Sequence, residues 1–329
     1  MAERGLPVAR GDTGAAVSDV QSRLRLLGHA ADGDPGGEFG AATEAAVRAF
    51  QTSRGLRSDG ICGPQTWNAL VEAGFRLGDR MLYHRHPMLR GDDVATLQRR
   101  LSALGFDTGR VDGIFGPHTA AALEDFQRNA GLIVDGTCGR DTLDALTKLG
   151  SRPDTSPVLA DVREREALRG SPRTLLARRV AVGEQGGLAA LADAVGKALG
   201  RQGATVVVLH DPDESTQAVN ANDAKAELYV GLVLAEESGV TTSYFRHLAT
   251  GAASSAGERL AHEVQAAAVD VLGEGDRGIH GMSLPILRET RMPAVVCELG
   301  PPSSVVLRSG ELAQAVTAAV GRWVADPCD

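Results

Sequence analysis

The sequence predicts a multidomain protein: two small three-helix bundles followed by an α/β domain, whose mostly parallel sheet is covered by helices on both faces. Three observations predict it. Residues 10–70 and 90–146 state one pattern twice. A stretch rich in Ser, Pro and charge runs from Ser151 to Pro172. Beyond it, short apolar runs alternate with helical periods. The expected division is 1–75 and 76–150 for the two copies, 151–177 for a linker and 178–329 for the α/β domain.

Each copy is legible in order. The first opens with Arg10-Gly11-Asp12 and the second with Arg90-Gly91-Asp92. Val17, Val20, Leu24 and Leu27 follow at spacings that line one helical face, and Gly28 stands where a helix ends. Val94, Leu97, Leu101, Leu104 and Gly105 are their counterparts. Phe39-Gly40 with Thr43, and Phe115-Gly116 with Thr119, introduce a second helix ending in Phe50-Gln51 or Phe126-Gln127. Each copy closes on Asp-Gly-x-Cys-Gly and Thr-x-x-x-Leu, from Asp59 to Leu70 and from Asp135 to Leu146. Gly63-Pro64 marks the break before the third helix, where proline suits the first turn. The expectation is three short helices around one Phe, with Cys62 and Cys138 in the cores and the Asp-Gly pairs in turns.

The remainder changes period. Arg179–Val182, Ala204–Leu209, Leu228–Leu234 and Ala294–Leu299 read as strands, and the three apolar runs among them suit a buried parallel sheet. Leu188–Leu199, Leu260–Leu272 and Leu312–Val324 read as helices. A short helix is expected over Val162–Leu168 within the linker.

Composition excludes several classes. With 34 basic and 42 acidic residues the net charge is −8, which disfavours nucleic acid and anionic lipid as partners. The Arg99–Arg100 and Arg178–Arg179 pairs are expected on solvated faces. No run of apolar residues is long enough to span a bilayer, and none follows the N-terminal MAERGLPVARGDTG. The expectation is therefore a cytoplasmic protein without export signal. The four cysteines form no C-x-x-C pair, so free thiols in a reducing compartment are expected.

The repeats resemble the peptidoglycan-binding domain family 1, marked by D-G-x-x-G-x-x-T and an apolar helix with Phe-Gln. The resemblance implies peptidoglycan or its precursors as ligand. Surface groups near Gly109-Arg110-Val111-Asp112 and His118 are the candidate binding residues, namely Arg110, Asp112 and His118. The α/β region resembles the zinc-dependent N-acetylmuramoyl-L-alanine amidases of the amidase type 3 family. The carrying segments are Ala221-Asn222 with Ala226-Glu227-Leu228-Tyr229-Val230, Thr241–Phe245, Arg277-Gly278-Ile279, Ile286–Thr290 and Met292–Gly300.

That resemblance implies a zinc held by two His and one Glu, with a catalytic Glu beside it; three protein ligands leave a position for an activated water. This sequence departs from it. Gln185 stands at the first His position, Val233 at the second, and the loop that should bear the Glu ligand gives way at once to helix-like sequence from Leu188. Glu298 alone matches the catalytic carboxylate, either as a catalytic remnant or as a hydrogen-bonding residue. His247, His262, His280, Glu184, Glu236 and Glu237 show no paired-ligand spacing, and Cys297 belongs to a buried strand rather than to a nucleophile's setting. Zinc is the cofactor expected for the family, but none is expected here. Three readings stand: an inactive amidase-like regulator of cell-wall synthesis acting through a protein partner, a plain peptidoglycan-binding module, and an active amidase with an unusual site. The two-repeat layout, together with Ala-, Arg- and Gly-rich composition, resembles actinobacterial proteins of the first kind.

Overall fold

The computed structural model describes residues 6–149, 164, 166 and 168–326. It divides into two compact units, Met1–Val162 with His247–Ala252, and Arg163–Arg246 with Ala253–Asp329. The short helix expected over Val162–Leu168 falls largely outside the described residues.

Among the described residues the first unit holds six helices: α1 (Ala15–Leu26), α2 (Ala41–Arg54), α3 (Pro64–Ala73), α4 (Asp92–Ala103), α5 (Pro117–Asn129) and α6 (Arg140–Leu149). They form two successive bundles of three. The first core gathers Val17, Val20, Leu24, Val47, Trp67 and Leu70 around Phe39 and Phe50. The second gathers Val94, Leu97, Leu101, Leu123 and Leu146 around Phe115 and Phe126. Each bundle therefore closes on two Phe rings rather than one, because the Phe before the second helix turns inward as well. Cys62 and Cys138 are buried and pair with Val8 and Leu82 in isolated antiparallel bridges, and burial pushes each thiol up to about 12. The Arg54 guanidinium donates twice to Asp92, at 3.0 and 2.8 Å, joining α2 of the first bundle to α4 of the second. Fork-to-fork geometry fixes orientation as well as distance.

A finer repeat underlies these bundles. Gln51, almost wholly buried, donates to Asp59 Oδ1, Ile61 O and Thr66 Oγ1, while its oxygen accepts from Gly60 N. Gln98 does the same with Asp112, Ile114, Thr119 and Gly113, and Gln127 with Asp135, Thr137, Thr142 and Gly136. Gln21 clamps Glu38 O, Thr43 Oγ1 and Gly37 N, with Pro35 O where the others use an aspartate. Each bundle is thus two half-repeats, a helix whose Gln holds the glycine turn that launches the next helix. The turn glycines Gly37, Gly60, Gly113 and Gly136 all have positive φ, which an L side chain rarely adopts.

The second unit is an α/β domain of β1 (Arg179–Glu184), α7 (Ala189–Arg201), β2 (Thr205–His210), α8 (Glu214–Asp223), β3 (Leu228–Leu234), β4 (Gly239–Phe245), α9 (Ser255–Leu272), β5 (Asp276–Met282), α10 (Pro285–Glu289), β6 (Ala294–Gly300), α11 (Pro302–Leu307) and α12 (Ser309–Ala325). The strand order is β2-β1-β3-β6-β4-β5, parallel except at the β6–β4 junction. One face packs Val182, Leu232, Cys297 and Leu299 under α7, α9 and α12. The other packs Tyr229, Ala294 and Val296 under α8 and α10. Strand β5 and helix α8 escape periodicity: β5 carries Arg277, Gly278 and His280, and the face α8 buries is built of Gln217, Ala218 and Ala221 rather than large apolar residues. Arg178 is not solvated; it is 3% exposed and meets Glu227 at 2.6 Å.

Removing Phe126 (Phe126→Ala) should cost about 3–5 kcal/mol, as large core truncations do. Gln127→Ala should cost about 1–3 kcal/mol for buried polar groups left unpaired. Urea unfolding followed by helical circular dichroism measures both. A thermal series over pH gives a third outcome. Backbone N–H donation to Asp34 and Asp135, chiefly from Thr43 and Thr137, holds both carboxyls below their ordinary value. A depressed carboxyl contributes stability above its unfolded pKa and loses it as pH falls through the folded one. Melting of the first unit should therefore fall with acidification below about pH 4, less so in Asp34→Asn.

Candidate functional site

The carboxyl ends of β1, β3 and β6 align at one rim of the sheet, where open α/β sheets place their ligands. Register places Val233 beside Glu298, and Thr241 of β4 on the other side of Glu298. Val233 packs on the sheet face covered by α8 and α10. Glu298 is half-buried. Gln185 follows β1 directly, and its amide donates to Glu214 Oε1 at 3.1 Å. Glu214 opens α8, whose start is capped by Asp213 accepting from Thr216 N. The rim therefore carries an amide bound to a carboxylate after β1, and a hydrocarbon in register with a carboxylate on β3 and β6.

Polar groups occupy the space behind that rim. The Tyr229 hydroxyl donates to Gln217 Oε1 at 2.7 Å, and Gln217 donates to the carbonyls of Glu184 and Asp211. A side chain at Gly183 would collide with the Tyr229 hydroxyl and the Gln217 amide oxygen, and one at Gly231 would press on the Tyr229 ring. Burial pushes the Tyr229 phenol far above its ordinary range, so it remains a neutral donor. Glycine inside a strand is the sequence mark of such a close approach, and Gly183 and Gly231 carried it.

Other candidate ligands disperse. Glu184 points to the opposite face, accepting from Gly186 N at 2.7 Å and Leu188 N at 3.3 Å, so it serves the start of α7. His210 lies between it and Asp193, at 3.2 and 3.3 Å. His262 and His280 are exposed on different elements, His247 contacts Thr250 at 3.1 Å, and Glu237 pairs with Arg277. Glu236 is exposed after β3. Cys297 is fully buried on the face of Val295 and Leu299, and its thiol is pushed up to about 12 by burial. A zinc with an open position needs three donors converging on one point. Among the described residues no three His, Cys, Asp or Glu groups converge so. Val233 offers no donor, and the Gln185 amide nitrogen is turned to Glu214. The donor set does not fit the metal.

In the second repeat, Asp112 is tied into the buried clamp, its Oδ1 accepting from Gln98 and Ile114 N. Arg110 is half-buried and His118 exposed at the start of α5. A Cβ at Gly109 would lie 3.4 Å from the His118 Cβ, so Arg110 leaves the chain beside that helix start.

Helical clamps of this kind and an amidase-like sheet define a peptidoglycan-related, amidase-like protein. Sequence comparison agrees. Residues 13–70 and 90–146 match the peptidoglycan binding domain, and residues 179–321 match N-acetylmuramoyl-L-alanine amidase. The chain is 37% identical to N-acetylmuramoyl-L-alanine amidase CwlM of Mycobacterium tuberculosis over 337 aligned positions, covering 91% of this chain and 82% of that protein. It is 34% identical to amidase CwlL of Bacillus licheniformis, over 42% of this chain and 44% of that one. A solved N-acetylmuramoyl-L-alanine amidase of Clostridium difficile 630 is 21% identical with a TM-score of 0.39, covering 46% of this chain and 98% of its own. The chain belongs to the N-acetylmuramoyl-L-alanine amidase family, with two peptidoglycan-binding repeats ahead of the amidase domain.

Two substitutions test the packing behind the rim. Gly183→Ala should destabilise the second unit more strongly than Tyr229→Phe. The first forces Tyr229 and Gln217 apart, whereas the second only leaves Gln217 Oε1 short of a donor, at about 1–3 kcal/mol. Denaturant titration read by tryptophan fluorescence ranks them, since Trp323 lies in that unit's core.

Proposed function

We propose that this protein is a non-catalytic member of its family that binds peptidoglycan or its precursors and regulates cell-wall synthesis through a protein partner in the cytoplasm. The observation that carries the reading is the rim itself: Gln185 bound to Glu214, and hydrocarbon Val233 in register with Glu298. An amide committed to a carboxylate and a valine cannot supply the imidazoles that hold an activating zinc, and without the metal the attacking water keeps its ordinary pKa. Glu298 on this reading is a remnant carboxylate. The domain division at 1–75, 76–150, 151–177 and 178–329 belongs to the same proposal, with binding in the repeats and partner contact in the amidase-like domain.

The compartment is supported by chemistry rather than by position in the chain. Cys62, Cys138 and Cys297 are free thiols in the cores, as suits a reducing environment. Among the described residues no helix is long and apolar enough to cross a membrane. A second reading, an active amidase with an unusual site, draws on Glu298 remaining in register at the rim.

The deciding experiment is metal analysis with activity. The purified chain should hold less than stoichiometric zinc and release no peptide from cell-wall fragments. Glu298→Ala should restore the wild-type phenotype in a deletion strain, and fractionation should find the protein inside the membrane. One zinc per chain with cleavage abolished by Glu298→Ala would establish the enzyme reading instead.

A further inference from the structure

The first compact unit includes six residues from far along the chain, His247–Ala252, which belong to the connection between β4 and α9. They fold as a closed loop. His247 O accepts from Thr250 N at 3.2 Å and from Gly251 N at 2.8 Å, and His247 N donates to Ala252 O at 2.7 Å. The Thr250 hydroxyl meets His247 Nδ1 at 3.1 Å, and Arg246 and Ala253 pair as an antiparallel bridge at the base. Ala252 packs into one apolar cluster with Ala95 of α4 and Val111 of the clamped turn before α5.

The two repeats act as controls for each other at this cluster. Gly37 and Gly113 both donate to the clamp glutamine of their half-repeat. Gly33 faces Ala42 as Gly109 faces His118. These fixed points align Asp34 with Arg110 and Pro35 with Val111. Counting back three residues from the clamp glutamines Gln21 and Gln98 aligns Ser18 with Ala95. Ser18 and Pro35 are exposed, whereas Ala95 is 0% and Val111 1% exposed. The same face of the same half-repeat is therefore open in the first copy and covered in the second. Residue type follows the difference, with a hydroxyl on the open face and a methyl in the cluster that Ala252 joins.

We propose that His247–Ala252 is an intrachain strap, a preformed loop that closes this face of the second repeat and can leave it as a unit. The inference concerns access to the second repeat and goes beyond the proposed function, since it holds for whatever ligand or partner the repeats take. Two physical features support it. The strength of an apolar contact follows the area it buries, and two methyl groups with one isopropyl bury little, so docking is reversible. The four hydrogen bonds that shape the loop run between its own residues, so they survive undocking, and redocking orders little that is not already ordered. A molecule that takes this face meets an open first copy. At the second copy its apparent affinity is scaled down by the fraction of time the strap is off.

Thiol labelling of the full chain tests the strap. Ser18→Cys and Ala95→Cys are introduced separately and treated with a small maleimide, and mass spectrometry locates and times the modification. Ala95→Cys should react at least tenfold more slowly than Ser18→Cys. Adding Ala252→Arg, which overfills the contact, or Ala252→Asp, which would bury a charge in it, should speed Ala95→Cys at least fivefold and leave Ser18→Cys unchanged. Cys62 and Cys138, buried in the two cores, should stay unmodified throughout and report that both repeats remain folded. Equal reactivity of Ser18→Cys and Ala95→Cys would show that the loop does not cover the face. Continued slow reaction of Ala95→Cys in both Ala252 variants would show that something other than the loop covers it. Modification of Cys138 in step with Ala95→Cys in both variants would make the loop part of the repeat's core packing. Each of these three results overturns the proposal.

Discussion

Buried glutamine side chains tie this protein together. A turn that is packed into a core exposes amides and carbonyls that neither water nor a sheet can satisfy, and leaving them unpaired costs more than most single contacts return. A primary amide answers both needs, since it donates through nitrogen and accepts through oxygen from one rigid plane. Gln21, Gln51, Gln98 and Gln127 do this in the repeats. Gln217 does it behind the rim of the sheet, and Gln265 does it between Val240, Thr242 and Asp276. The repeats are too small for apolar burial to fix every loop, and these polar clamps supply what the core lacks.

The same logic explains how the sheet holds its form independently of the groups at its rim. The sheet is held by Val, Leu and Ala from β1, β3 and β6, sandwiched between helices on both faces. None of that packing needs a metal. Near the rim, Gln185 is bound to Glu214 Oε1 and Tyr229 to Gln217 Oε1. Glu298 then remains in register at the centre of the rim because its strand is a central one, paired on both sides.

Internal duplication also makes the repeats informative about each other. Where two copies keep the same residue, as at the four clamp glutamines, the fold requires it. Where they diverge, as at Asp34 and Arg110, the carboxylate that accepts from Thr43 N in the first copy has a guanidinium at the aligned position of the second. A pair of copies therefore separates positions the fold requires from positions it lets vary within a single chain.

Much of the architecture was determined by the sequence. Apolar spacing placed all six helices of the repeats, because Val17, Val20, Leu24 and their counterparts recur with the helical period, and Gly-Pro and Asp-Gly pairs bounded them. The apolar runs at 228–234 and 294–299 announced buried strands, whereas 204–209, read the same way, forms the half-buried edge strand β2; that Gln185 and Val233 are not imidazoles was visible from residue type alone. What only the tertiary structure decided lies in polar contacts between distant segments. Helix α8 and strand β5 have too little apolar period to be read locally, so their places follow from packing and strand pairing. The half-repeat within each bundle was hidden because Gln21 and Gln51 reach turns 9 to 16 residues away. The partner of Gln185 lies 29 residues off, and the equivalence of Asp34 with Arg110 emerges only when the contacts of Gly33 and Gly109 align them. Periodicity is a local property of a chain; the satisfaction of a buried polar group is settled by whichever donor the folded chain brings within reach.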